Sequence, residues 1–403
     1  MKDFQLFEEA KWVIDTLENN NHKAYFVGGS VRDYLMGRAL SDVDITTSAL
    51  PDDVELLFGR TIPIGKEHGT IIVLGNNQQY EVTTFRKDGD YVDHRRPQSV
   101  QFVTDLYEDV ARRDFTMNAI AMDTSYQLHD YFNGYQDIQS KIIRAVGTPL
   151  DRMEEDALRI MRGIRFQAQT NFDIDPETLS AMQQTAYGLS HIAIERVIVE
   201  LKKFIQGRYV EKSIHTINRV SVFENLPFFN KINHRDMFVP LESNFEMWIA
   251  SLCFIYQIDT TELQQLKISN EEKREIKAYI DIFNFFNQDT ILKTELVQLI
   301  YKYGNIKVKN CISLIQQHER QISIQYDPFI MNLTIIDNIY DKLPIYNKSD
   351  LSVDGKILMQ AFNRNGGPWL KVILNKVEHA VILNKVNNSK HEIIEWVREH
   401  VEI

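Results

Sequence analysis

Tyr25-Phe26-Val27-Gly28-Gly29-Ser30-Val31-Arg32-Asp33, then Asp42-Val43-Asp44-Ile45-Thr46-Thr47, is the stretch on which the reading of this 403-residue chain turns. The first half is an apolar run ending in two glycines and followed by residues at helical spacing, which predicts strand, tight turn and helix N-terminus. Such a turn lets backbone N–H groups approach a phosphate, and the helix dipole favours its negative charge. The second half alternates acidic and apolar residues. In a strand, period two puts Asp42 and Asp44 on one face and turns Val43 and Ile45 into a core. Two neighbouring carboxylates repel unless a cation lies between them. With oxygen ligands only, Mg²⁺ is the expected ion, its shell completed by substrate phosphates. A Gly-Gly or an Asp-x-Asp alone says little. In this order, with Arg32 and Asp33 between them, they point to nucleotidyl transfer.

The rest of the first 146 residues supports a small sheet. Phe4, Phe7, Ala10, Val13, Ile14 and Leu17 recur at helical spacing over residues 3–20. Thr61–Ile64, Thr70–Leu74 and Tyr80–Phe85 read as strands, and the segment from Leu128 to Gly134 finishes the sheet. Glu81 has two readings, a third acidic group near the metal or a solvent-facing strand glutamate. Arg86 to Gln101 is too polar to offer an apolar face and reads as a mobile loop. It is either a solvated insertion or a segment that closes over substrate. Ala111 to Ala121 contains Arg112-Arg113-Asp114-Phe115-Thr116-Met117-Asn118. On a helix, Phe115, Ala119 and Met122 would face the core while Arg113 and Asn118 face the site. An arginine fork there can hold two phosphate oxygens at once.

Asp151 to Gln169 reads as one long amphipathic helix, with Ile160, Ile164 and Ala168 on its apolar stripe. Arg159, Arg162 and Arg165 recur every three residues on another. Glu155, four residues before Arg159, is placed to hold that guanidinium. The bland reading is a solvated, ion-paired face. The functional one rests on donor and acceptor logic. Cytosine and adenine both present an amino donor beside a ring-nitrogen acceptor, so an Asp and an Arg suit both. The same pair meets mismatched groups on uracil and guanine.

These segments resemble the class II tRNA CCA-adding enzymes and their poly(A) polymerase relatives, within the polymerase-beta superfamily. The resemblance rests on Gly28-Gly29 with Arg32 and Asp33, on Asp42-x-Asp44, on the Arg112-Arg113-Asp114-Phe115-Thr116-x-Asn118-Ala119 segment, and on Glu155-Asp156-x-x-Arg159. It runs continuously over the first half of the chain and is weaker near the end. It implies template-independent addition of C, C and A to the 3′ end of tRNA from CTP and ATP. It further implies Mg²⁺ on the catalytic Asp42 and Asp44, and nucleotide contacts from Gly29, Arg32, Arg113, Glu155, Asp156, Arg159, Arg162 and Arg165. In this family a flexible loop at the place of Arg86–Pro97 is needed for the final A. The segment from Ile194 to Lys203 resembles one that buttresses the base-reading helix. Rivals on the same fold are a poly(A) polymerase, which usually carries proline where Ala157 stands, and a CC-adding enzyme, which lacks the loop. The rival from another class is a non-catalytic RNA-binding protein on a decayed transferase fold.

Beyond Phe172 the pattern is helical almost throughout. The expected fold is therefore α+β: a nucleotidyltransferase head (1–146) with a small mixed or antiparallel sheet, then a helical neck reading the base (147–205). A helical body (206–290) and a helical tail that binds tRNA (291–403) complete it. Phe228-Phe229, Trp248, Phe283 to Phe286 and Leu296 to Tyr303 read as helix cores, and Lys293, Lys302, Lys307 and Lys309 as a candidate phosphate patch. Hydrophobic content of 44% and charged content of 25% are those of an ordinary soluble protein. The net charge of −11 argues mildly against a nucleic-acid partner. Lys141 to Phe166 nonetheless carries six basic against four acidic residues, so a local RNA-binding face survives the global balance. Cys253 and Cys311, far apart and without metal-ligand neighbours, read as buried thiols. No signal-type start and no apolar run of about 18 residues is present, so a cytoplasmic location with no membrane partner is expected.

Overall fold

Helix α1 (Asp3–Asn19) buries Phe7, Ala10, Val13, Ile14 and Leu17, the stripe its spacing calls for. It leads into β1 (Ala24–Val27), which ends at Gly28, and α2 (Gly29–Leu35) begins at once. The protein, seen here as a computed structural model, is described at residues 3–75, 78–89, 100–232, 238 and 244–401. It divides into two units, residues 1–242 with 264–267, and residues 243–263 with 268–403.

In the first unit, β2 (Asp44–Thr47), α3 (Pro51–Leu57), β3 (Thr61–Gly65), β4 (Thr70–Leu74) and β5 (Gln79–Thr84) follow in order. Next come β6 (Arg86–Asp88), β7 (Val100–Phe102), α4 (Leu106–Ala111), β8 (Ile120–Met122), β9 (Leu128–Asp130) and α5 (Gly134–Ser140). The main sheet has the order β3-β4-β5-β2-β1-β8-β9. It is mixed: β2 runs parallel to β5 and antiparallel to β1. Strand β2 is thus central, and its first residue, Asp44, stands between Val27 and Glu81 in register.

Helices α6 (Pro149–Glu155), α7 (Leu158–Thr170), α8 (Pro176–Thr185), α9 (Ile194–Ile205) and α10 (Val210–Val220) complete this unit. Helix α7 packs on α9 and α10. Ile160, Ile164 and Ala168 are fully buried, as the periodicity demands.

Four local expectations need correction. Strand β2 begins at Asp44, so Asp42 stands in the exposed segment before it rather than on the strand face, and Ser41 Oγ donates to its Oδ1 at 2.8 Å. Residues 113–121 are not a helix. A short 3₁₀ turn (Thr116–Asn118) leads straight into β8, because pairing with β1 outweighs the local helical spacing. Phe115, Ala119 and Met122 are still fully buried. The expected helix from Asp151 is broken at Asp156, whose backbone is extended (φ −142°, ψ 101°) and whose carboxylate accepts from Leu158 N at 3.1 Å. A short acidic side chain that caps the next turn competes with the helix ladder there. The polar loop has paired stems, β6 against β7, and residues 90–99 of it lie outside the described residues.

The second unit is helical: α11 (Phe245–Ile255), α12 (Asn270–Phe286), α13 (Lys293–Tyr303), α14 (Asn305–Gln317), α15 (Glu319–Ile322), α16 (Leu333–Asp341), α17 (Gly355–Phe362), α18 (Pro368–Ile382) and α19 (Lys390–His400). Trp248, Phe283 and Ile300 lie in its core, as do both cysteines, which are free thiols pushed upward in pKa by burial. Three of the four lysines expected to meet phosphate face carboxylates instead: Lys302 with Asp281, Lys307 with Glu275 and Lys309 with Asp337. Among the described residues no helix is long and apolar enough to cross a membrane.

Candidate active site

Gly28 is the hinge of the site. Its φ of +74° and ψ of −132° are open to glycine and strained for any residue with a Cβ. A Cβ there would lie 3.2 Å from Arg113 Nη1 and 3.4 Å from Asp44 Oδ2. The bare α-carbon therefore lets a cation from the segment after α4 and a carboxylate from β2 approach the same point. Gly28, Gly29, Arg32, Asp42, Asp44 and Arg113 all line one cleft of about 1270 Å³.

The carboxylates gather at its floor. Burial, then the charges of Glu81 and Asp42, push the Asp44 carboxyl up to about 6, against the opposing pull of Arg113 and Arg32. Glu81 is also raised, by loss of hydration and then by Asp42; its side chain is exposed and lines the same cleft beside Asp44. Among the described residues, no group of three or more His, Cys, Asp or Glu side chains is disposed to hold a metal by itself. The donor set nonetheless suits Mg²⁺, which takes one or two protein carboxylates and fills the rest of its shell with water and phosphate oxygens. A second observation agrees. Arg113 Nε is buried without a hydrogen-bond partner, a donor left over for an anion in the cleft.

The arginines are held from behind. Arg32 donates through Nε and Nη2 to Asp33 (3.0 and 2.8 Å) and through Nη1 to Asn118 Oδ1 (2.7 Å). Arg112 and Arg113 meet the fully buried Asp109 at 2.8 and 3.3 Å. Arg162 Nε donates to Asp114 at 2.6 Å. Burial works to raise the Asp114 carboxyl, but Arg162 and hydrogen bonds from Asn118 and Phe115 N hold it down to about 2. Arg165 Nε lies 2.6 Å from Glu200 Oε2, and burial lowers this guanidinium despite the Glu200 charge.

The break before α7 exposes Asp156 to the same cleft. Arg196 of α9 grips its Oδ2 at 2.8 Å. Arg159 is 7% exposed and donates to Glu155 (2.6 Å) and to the carbonyls of Arg152 (2.8 Å) and Arg112 (3.1 Å). The expected pair four residues apart is therefore present, with Glu155 behind Arg159 and not itself lining the cleft. Nine of the ten residues singled out from the sequence line the cleft, and Glu155 is the exception.

Sequence reasoning missed Asp109, Asp114 and Glu200 as supports and Phe166 as a cleft residue. Two of these left a signal: Asp109 stands three and four residues before Arg112 and Arg113, and Glu200 interrupts the apolar stripe of α9 between Val197 and Leu201. Arg196 lies within the buttressing segment from Ile194 to Lys203, and its partner Asp156 lies 40 residues away in sequence.

Residues 24–144 match the poly A polymerase head domain, residues 171–232 the probable RNA and SrmB-binding site of polymerase A, and residues 239–397 the putative second domain of tRNA nucleotidyltransferases. The chain is 46% identical over 399 residues to the CCA-adding enzyme of Staphylococcus epidermidis, covering 99% of both. It is 45% identical over 401 residues to that of Staphylococcus aureus strain Newman, covering all of both. Among solved structures, it is similar to the Bacillus stearothermophilus CCA-adding enzyme in complex with CTP, with 33% identity, a TM-score of 0.81, and 98% and 97% of the two chains covered.

Proposed function

The chain belongs to the CCA-adding enzymes, and from that premise we propose how its own residues carry the family's reaction. The enzyme adds C, C and A to the 3′ end of tRNA from CTP and ATP without a nucleic-acid template, releasing pyrophosphate. The observation that carries the residue assignment is the convergence in one cleft of Asp42, Asp44, Arg32, Arg113, Arg162, Arg165, Asp156 and Arg159.

Asp42 and Asp44 would hold Mg²⁺, with Glu81 beside Asp44. When bound, the ion lowers the pKa of the primer 3′-hydroxyl and offsets charge on the reacting phosphate. One or both aspartates take the proton that the hydroxyl releases. Gly28 and Gly29 let the triphosphate approach the backbone. Arg32, Arg113, Arg162 and Arg165 supply fixed cations where negative charge moves toward the leaving group. Asp156 accepts from the amino group of cytosine or adenine and Arg159 donates to the neighbouring ring nitrogen. Arg196 and Glu155 hold those two groups in place. In this reading residues 1–146 are the catalytic head, 147–205 the base-reading neck, 206–290 the body, and 291–403 the tail that grips the tRNA elbow. The activity belongs in the cytoplasm, with the tRNA it acts on.

The test is incubation with tRNA lacking its 3′ end, with each NTP separately and then together, and sequencing of the products. CTP alone should give two C residues and ATP should complete the end. A product carrying a run of A would indicate a poly(A) polymerase. Asp42→Ala should abolish incorporation of both nucleotides while leaving tRNA affinity nearly intact, and a near wild-type rate in saturating Mg²⁺ rules out the ligand assignment.

A further inference from the structure

Three guanidinium groups surround one aromatic ring in the cleft. The Arg165, Arg32 and Arg162 carbons lie 4.0, 5.0 and 5.6 Å from the centroid of Phe166. Phe166 is 3% exposed and lines the cleft. Phe115, fully buried, meets it edge to face at 5.9 Å and 88°. Arg32 comes from α2 and the other two from α7, so this ring is where a cation of the sheet layer meets the cations of the neck helix.

Three like charges so close should separate unless something holds them. Carboxylates do part of this: Asp33 for Arg32, Asp114 for Arg162 and Glu200 for Arg165. Carboxylates act on the N–H edge of a guanidinium, however, and each one cancels a charge. An aromatic face attracts the flat side of the same group through its quadrupole, adds no negative charge, and consumes no N–H donor. Three carboxylates already balance these three arginines, so a fourth in place of Phe166 would make the cluster net negative toward a triphosphate.

We propose that Phe166 is a positioning residue for nucleotide phosphate: its ring holds Arg32, Arg162 and Arg165 by cation–π contact, adding no negative charge and leaving N–H donors for the substrate. This rests on the reading that these arginines contact the nucleotide. The inference differs from a packing role in one measurable way. A packing residue depends on ring shape, whereas this role depends on the electron density of the ring face.

The experiment replaces Phe166 in the full-length enzyme by mono-, di- and trifluorinated phenylalanines, which weaken the ring face stepwise at nearly constant shape. Initial rates are measured on truncated tRNA with CTP and with ATP. The expected result is a progressive fall in kcat/KM for both nucleotides, reaching about tenfold for the trifluorinated ring as two or three such contacts weaken. The KM for tRNA, the CTP/UTP ratio and the melting temperature should hold. Phe166→Leu should lose at least as much as the trifluorinated ring. A flat fluorination series, or a loss that falls on the KM for tRNA, overturns the proposal. Arg162→Gln is the control on its foundation. If that variant leaves the nucleotide KM unchanged, the arginine assignment falls and the proposal with it. If it raises the nucleotide KM while the fluorinated series stays flat, only the role of the ring is lost.

Discussion

Asp44→Asn should make the metal-free protein more stable while removing its activity. Asp44 enters the folded state at a disadvantage, because burial, Glu81 and Asp42 raise its carboxyl from 3.8 to about 6. A carboxyl raised in this way contributes stability that is fully present below its unfolded pKa and is lost as pH rises through the folded one. The window is therefore about pH 4 to 6, with a plateau above it. The difference of roughly two pKa units corresponds to about 3 kcal/mol lost by pH 8 and about half that by pH 5. Asparagine keeps the shape and never ionises, so its advantage over aspartate should reach about 3 kcal/mol at pH 8 and shrink as pH falls. Denaturant unfolding in EDTA at pH 5 and pH 8, followed by circular dichroism, reads the gap. Amide exchange at Ile45 and Thr46 reads it locally in β2. Equal midpoints at pH 8, or a gap that does not narrow at pH 5, would refute the reasoning. A variant that stays active would refute the catalytic assignment instead.

Gly28→Ala should cost about 1–3 kcal/mol in stability from backbone strain, and more than a hundredfold in incorporation because Arg113 and Asp44 must both give way; a rate within twofold of wild type would show that the close approach at this carbon is dispensable. Arg159→Ala should cost CTP about 1–3 kcal/mol and UTP less, narrowing the kcat/KM ratio. Arg196→Met should narrow that ratio more weakly, by loosening Asp156, and an unchanged ratio in both variants would return α7 to the status of an ion-paired surface. Scrambling Asp88 to His94 should spare addition of C and impair addition of A, as read from product lengths; equal loss of both would assign the loop a different task.

Much of this protein is legible in the linear chain because its chemistry is local. Strand, glycine turn and helix N-terminus occupy consecutive residues, and the burial of Ile160, Ile164 and Ala168 follows from helical spacing alone. The pairing of Glu155 with Arg159 likewise needs only the four-residue reach of a helix. What the chain could not reveal depends on partners far apart in sequence. The sheet took residues 120–122 as a strand against β1, whatever their local helical pattern. Asp156 interrupts its helix and is met by Arg196, 40 residues away, so this ion pair exists only after α7 and α9 pack. Arg32 reaches Asn118 across 86 residues and Phe166 across the interface between α2 and α7. The raised carboxyl of Asp44 has the same origin, since neither burial nor the approach of Glu81 along the parallel β5 can be read before the sheet closes. Residue identity and period determine which groups are present and which face they share. Which charge stands beside which is decided by packing, because electrostatic energy depends on separation and burial, and neither is a property of the chain order.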